Sequence, residues 1–178
     1  MLHQQALNKA MMEAVEFVHA EGWDQPPTLF GLVPTELLVD QLGELDLLDD
    51  GGASSPLTLV VQDLPESIDA GSDELADYVA RVAWPQTVEG VILAQEIIFR
   101  DTAEDVDSSP RPARLFSGVL RDDDIEQTLL QIRPTEDELE ERGLFAQDDI
   151  ELRGGPGVAP VVIAALRHSL AQDPDELL

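Results

Sequence analysis

The first part of the chain has the apolar spacing of an amphipathic helix. Apolar side chains recur at steps of three and four residues, at Leu7, Met11, Ala14, Val15 and Val18. This is the spacing of one buried helix face, so the pattern predicts a helix over residues 2–21. Gly22 is a typical residue to end it.

A rigid connection follows this helix in the stretch GWDQPPTLFGLVPT, residues 22–35. Pro26 and Pro27 fix their own backbone in an extended form and keep Gln25 out of the helical region. The chain therefore leaves the helix extended, and the pattern predicts a short strand over 28–33. Thr35 is a suitable N-cap for a short helix over 36–42.

The next part of the chain alternates acidic loops with one strand and one helix. Residues 44–56 are acidic and rich in turn formers, which is typical of a loop. The run LTLVVQDL at 57–64 has strand composition between two prolines, which favours an edge strand or an extended connection. Asp73 begins a second amphipathic helix, which Trp84 and Pro85 end.

Three aliphatic runs in the second half predict adjacent strands over 88–99, 113–121 and 125–133. The last two are separated by Asp122, Asp123 and Asp124 only, so a tight antiparallel hairpin is the simplest connection. In the third run apolar and polar residues alternate, which predicts one packed face and one wetter face. The acidic segment that follows is compatible with a short helix and a final short strand.

The last clear element is a helix from about Val158 to Leu170, with Pro160 tolerated in its first turn. The order of elements is that of an α+β fold. We predict a single antiparallel or mixed sheet, with the N-terminal, central and C-terminal helices packed on it. Residues 1–172 are expected to form one domain, and residues 173–178 an acidic tail.

Composition narrows the classes of function. The chain has 37 acidic residues against 10 Lys and Arg, which gives a net charge of -27. Nucleic-acid and membrane surfaces attract clustered cations, so we expect neither as a partner. An acidic solvated surface is the ordinary interpretation, and recruitment of a basic protein or imitation of a nucleic-acid backbone is the functional alternative. The chain has no cysteine and no visible targeting or spanning segment, so we expect a cytoplasmic protein.

Each candidate chemical motif lacks residues, spacing or burial that its chemistry requires. The glycine-rich stretch RGGPG, at 153–157, opens the last helix but lacks the lysine and hydroxyl of a P-loop. The acids between Asp101 and Asp107 lack the order and the glycine of a calcium loop. The three acids at 122–124 could form a catalytic carboxylate cluster only if their pKa values were raised. A raised carboxyl pKa needs burial, which a hairpin tip does not offer, so an exposed turn is the better interpretation. We therefore predict no catalytic residue, no cofactor and no metal site.

Two hypotheses remain, and both use the aromatic and proline-rich positions Trp23, Asp24, Gln25 and Trp84. The first is a non-enzymatic interaction, adaptor or chaperone-like module, monomeric or homodimeric, with Trp23 as the anchor for a partner protein. The second is a small-molecule or anion-binding domain, or a cryptic enzyme, with a pocket near Trp23, Trp84 and the start of the C-terminal helix. For the corner itself, a structural joint is favoured over a binding site, because large apolar side chains beside element ends are usually buried.

The motifs GWDQPP, AWP and GVLRD, in this order, resemble a family of small acidic actinobacterial proteins of unknown function. The resemblance runs over nearly the whole chain. It implies one intracellular α+β domain and brings no catalytic or ligand-binding residue with it.

Overall fold

The computed structural model describes residues 4–35, 57–62, 64, 68–69, 73–85, 87–99, 111–121, 125–132, 140–141, 152–154 and 160–171. Three helices are present in these residues: α1 (Gln4–Glu21), α2 (Asp73–Arg81) and α3 (Pro160–Ala171). Six strands accompany them: β1 (Thr28–Pro34), β2 (Leu57–Gln62), β3 (Gly90–Phe99), β4 (Arg111–Leu120), β5 (Glu126–Ile132) and β6 (Leu152–Gly154). The predicted α+β class is confirmed.

The strands form one sheet in the order β2-β1-β3-β4-β5-β6. Every neighbouring pair is antiparallel, so the sheet is not mixed. The long β3 and β4 pair over their whole length, from Gly90↔Leu120 to Phe99↔Arg111. The run between the two prolines, predicted as an edge strand or an extended connection, forms β2, which is an edge strand among the described strands.

Helix α1 covers one face of the sheet with the apolar side chains that its spacing predicts. Leu7, Met11, Ala14 and Val15 are fully buried and pack against side chains such as Phe30 and Phe116. The helix contacts β2 as well as β3, β4 and β5. A flat sheet with strands about 4.8 Å apart would separate β2 from β5 by about 19 Å, more than the roughly 10–12 Å width of a helix. With 18 residues α1 is about 27 Å long, so it can reach from β2 to β5 by crossing the strands or where the sheet curves.

Helices α2 and α3 cover the opposite face. Leu75 and Val79 of α2 and Leu166 of α3 pack with Leu93 and Val119 from the two central strands.

Near the centre of β5, Leu130 packs with strand residues such as Ala113 and Leu115 on one face, and Gln131 is buried on the face of α1. The predicted alternation holds in part: Thr128 and Leu130 are buried and Gln127 is half-buried, but Gln131 is also buried, with 3% of its surface exposed.

The segment before the last helix also differs from the prediction. Arg153 and Gly154 belong to β6, which pairs with β5, so the stretch RGGPG does not simply open the last helix. Helix α3 begins at Pro160, where the missing N–H of proline costs no helical hydrogen bond. The predicted helix over 36–42, the loop over 44–56, the three aspartates at 122–124 and the acidic tail lie outside the described residues.

Candidate functional site

The predicted corner after α1 is a tight reversal of the backbone. Gly22 has a φ of 92°, in the left-handed region that glycine adopts without a Cβ penalty, and its N–H donates to the carbonyl of His19 at 3.2 Å. Asp24 is also left-handed, with a φ of 67°. Two left-handed residues in three positions turn the chain out of α1 and toward the sheet.

A carboxylate on β3 holds this reversal in place. Glu96 accepts the backbone N–H of Asp24 on Oε1 at 3.0 Å and that of Gln25 on Oε2 at 2.6 Å. The Gln25 side chain donates back to the carbonyl of Glu21 at 3.3 Å. Hydrogen bonds to a carboxylate are stronger than those between neutral groups, so the corner is anchored to the sheet and not only to its own helix.

Arg114, the register partner of Glu96 on β4, fills the space beneath the corner. Its side chain is 1% exposed, which is rare for an arginine. One terminal nitrogen donates to the carbonyl of Gly22, the other donates to Gln131 Oε1 at 3.1 Å, and Cζ lies 3.9 Å from the centroid of the Trp23 ring. The buried charge is thus compensated by two acceptors and by a cation–π contact.

The polar contacts continue from Arg114 to α1. Gln131 of β5 places Nε2 3.3 Å from Nδ1 of His19, in the last turn of α1. His19, Gln131 and Arg114 therefore form a chain of contacts from the helix across two strands. We call Trp23, Glu96, Arg114, Gln131 and His19 the corner network.

The corner network explains why a tryptophan, an aspartate and two prolines stand together. Trp23 is half-buried and lies over a guanidinium, while the side chains of Asp24 and Gln25 remain exposed. Their backbone groups, not their side chains, make the contacts to Glu96. The geometry is that of a joint between α1 and the sheet, with exposed polar side chains on its outer side.

Trp84 lies elsewhere. It is 3% exposed, packs with α2 and α3, and donates from Nε1 to Ser169 Oγ at 3.1 Å. Its ring lies beneath β1 on the face opposite α1, where a Cβ added to Gly31 would be 3.1 Å from Cζ3. Trp23 and Trp84 are thus on opposite faces of the sheet. This corrects the expectation that they line one pocket together with the start of the last helix.

A small open cavity lies instead near the C-terminal end of α3. It has a volume of about 220 Å³ and is lined by Leu120, Arg121, Arg167, Leu170 and Ala171. Arg121 donates to the carbonyls of Val88 at 2.9 Å, of Pro85 at 3.2 Å and of Leu170. Arg167 pairs with Glu126 at 3.1 Å. Both cations have partners within the fold, which weakens their attraction for a bound anion.

The edge of the sheet presents a different kind of surface. No described strand pairs with the outer side of β2, and the residues of β2, LTLVVQ, carry no charge. Val60 is 36% exposed and Val61 47% exposed. Val61 is the register partner of Phe30, and the Phe30 ring makes an edge-to-face contact with Phe17 of α1 at 5.6 Å between centroids.

Phe17 is itself 44% exposed, so it and Val61 border the same buried phenylalanine. We call Phe17, Val60 and Val61 the edge patch. An unpaired strand edge offers backbone N–H and C=O groups to another chain, and exposed apolar side chains on it favour such pairing.

Comparison with models of protein families identifies the family of the chain. A model described as PPA1309-like protein matches residues 7–171, which include all six strands, α2, α3 and all of α1 except its first three residues. The chain belongs to the PPA1309-like protein family. This family is uncharacterised, so membership assigns no activity. No curated protein and no solved structure matches the chain.

Within the described segments of this family member, no group of three or more His, Asp or Glu side chains is arranged to hold a metal ion. No helix in the same segments combines the length and the apolar character needed to cross a bilayer.

Sequence reasoning found the corner but missed what holds it and missed the edge patch. The available signal for Arg114 was a charged residue inside an apolar strand run, on the same face as Phe116. The signal for Phe17 was an aromatic residue outside the helical apolar spacing. Neither signal names a partner, because Gly22 and Arg114 are 92 positions apart in the sequence.

Proposed function

We propose that this protein is a non-enzymatic interaction module that binds a partner protein along the open edge of the sheet. The observation that carries the proposal is the edge patch: two adjacent exposed valines on an uncharged edge strand, next to an exposed phenylalanine. Natural proteins usually protect an edge strand with charged residues, proline or a bulge. An edge that lacks this protection is suited to strand addition by a partner.

The proposal moves the anchor for the partner from Trp23 to Phe17 and Val61. The Trp23 ring lies over Arg114 and its backbone neighbours are held by Glu96, so the corner supports the fold around the helix that carries Phe17. The net charge of -27 favours a basic protein over a nucleic acid or a membrane surface. We place the protein in the cytoplasm, and its GWDQPP, AWP and GVLRD motifs support an actinobacterial origin.

Photo-cross-linking in the native cell tests the proposal. A benzoylphenylalanine at position 61 should give one major adduct, and mass spectrometry should map the cross-link to one segment of one partner. The matched control is the same group at Met12, which is 42% exposed on α1. At 3.6 residues per turn, Met12 is about 140° around the helix from Phe17.

A second variant links the adduct to the edge patch. Phe17→Ser should remove the adduct at position 61 while the far-UV circular dichroism stays unchanged, because Phe17 is not part of the fully buried core. Equal adducts at positions 12 and 61, or an adduct that survives Phe17→Ser, would contradict binding at the edge.

The cavity beside Arg121 and Arg167 supports the second candidate, a small-molecule or anion-binding domain. A shift in melting temperature with a metabolite, lost in Arg167→Ala, would favour this function. A flat response across a broad library would count against it. We rank it below the interaction module, since the arginines already bind Glu126 and three backbone carbonyls.

A further inference from the structure

The edge patch has an apolar residue on each face of β2. Val61 pairs with Phe30, which packs on the α1 side, whereas Val60 pairs with Gly31 on the side of Trp84. Consecutive strand residues point to opposite faces, so a strand added beside β2 meets apolar surface on both faces at neighbouring positions. Two adjacent aliphatic residues in that strand would cover both valines.

Carboxylates surround the aromatic part of the patch. Glu21 follows Phe17 by four residues along the same stripe of α1, on which Glu13 and Lys9 precede Phe17 by four and eight residues. Glu21 is exposed, and Glu16 beside Phe17 is exposed as well. A cation in an incoming strand would be attracted by this surface if it lies two positions from the aliphatic residue that covers Val61, and therefore on the same face.

The same charges disfavour a second copy of this chain as the occupant. Two copies paired through β2 would bring together two molecules of net charge -27, and β2 itself has no Lys or Arg to offset the repulsion. Charge complementarity selects a basic segment from a different protein.

We infer that the partner presents an extended segment with two adjacent aliphatic residues, and with lysine or arginine two positions from the aliphatic residue that covers Val61. This inference rests on the proposed function, because it describes the segment that the edge of the sheet would bind. The backbone of the segment continues the sheet beyond β2, and the aliphatic pair covers Val60 and Val61. The cation on the face that covers Val61 lies near the carboxylates of α1.

A set of three peptides tests the inference with the intact protein. The first is Lys-Thr-Lys-Val-Val-Lys-Thr-Lys with blocked ends. The second has glutamate in place of every lysine, and the third has proline in place of both valines. The N–H groups of adjacent strand residues point to opposite edges, so one of the two prolines removes a hydrogen bond to β2 in either register. Binding is followed by backbone amide shifts of the ¹⁵N-labelled protein at low and high salt.

The lysine peptide should shift the amides of β2 and bind roughly tenfold or more tightly than either control, with the difference reduced by salt. Phe17→Ser should weaken its binding, and Met12→Ser should not. Shifts spread over acidic residues across the surface, with equal binding of the proline peptide, would overturn the inference because they indicate nonspecific attraction.

Two other outcomes would overturn the inference while leaving the proposed function standing. Equal binding of the glutamate peptide at β2 would show that the edge binds a strand without selecting for basic residues. No shift at β2 with any peptide, together with a mapped adduct at position 61 in cells, would show a partner of different chemistry.

A concentration-dependent dimer that Val61→Lys abolishes would also overturn the inference, because it would identify a second copy of this chain as the occupant.

Discussion

Replacing the buried arginine of the corner network is the sharpest test of the fold. Arg114→Met keeps an unbranched apolar stem and removes the guanidinium. The loss includes two charged hydrogen bonds, worth roughly 1.5–3 kcal/mol each, and a desolvated cation–π contact worth about 2 kcal/mol. Methionine does not carry the desolvation penalty of a buried guanidinium, and removing that penalty offsets several kcal/mol of the loss. We expect a net destabilisation of about 2–4 kcal/mol, since the carbonyl of Gly22 and the Gln131 amide lose their donor.

Urea unfolding, followed by circular dichroism, measures this change. For a chain of this size the same loss lowers the melting temperature by about 4–16 °C. Arg81→Met is the matched control, because Arg81 is exposed at the end of α2 and should change stability by less than about 0.5 kcal/mol. A double-mutant cycle with Trp23→Leu should give a coupling of about 1–2 kcal/mol. A stability for Arg114→Met within about 0.5 kcal/mol of the parent would refute the assigned role.

Three further substitutions test separate features by thermal or urea unfolding. Gly22→Ala should lower the free energy of unfolding by about 1–2 kcal/mol, because alanine is strained at a φ of 92°. Crowding adds nothing to this, since a Cβ there has no atom within 4 Å. An unchanged unfolding midpoint would argue against the left-handed turn. Gly90→Ala should cost about 1–3 kcal/mol because the new Cβ would lie 2.6 Å from the carbonyl oxygen of Val119, and a neutral effect would mean that the strands separate easily there. Ser117→Ala should be neutral or stabilising, since the Ser117 hydroxyl is buried without a hydrogen-bond partner among the described residues; a loss above about 1 kcal/mol would reveal such a partner.

The predictable part of this structure is the part governed by local pattern. The apolar spacing of α1, the glycine at its end and the prolines around β2 each act within a few residues, and they gave the helix, the turn and the edge position. The order of the strands followed less directly, since β1 pairs with both β2 and β3 across long connections.

The unpredicted part depends on which faces meet in three dimensions. Gln131 looked like a residue of a wetter face because strand alternation does not show that a helix covers that face. The placement of Trp23 and Trp84 on opposite faces was missed for the same reason, since the sequence does not show which face of the sheet each helix covers. Their similar settings beside prolines suggested a shared role, but one follows a helix on the first face of the sheet and the other a helix on the second.

The contacts of the corner network also set an order of events during protein synthesis. Gly22 is bound by a residue 92 positions later, and Asp24 by one 72 positions later. At synthesis rates of about 5–20 residues per second, Arg114 leaves the ribosome roughly 5–18 s after Gly22. Helix α1 therefore emerges with its apolar face uncovered and can dock stably only after the hairpin of β3 and β4 has formed. Among the described elements, α1 is made before the strands on which it packs and is fixed in place after β3 and β4.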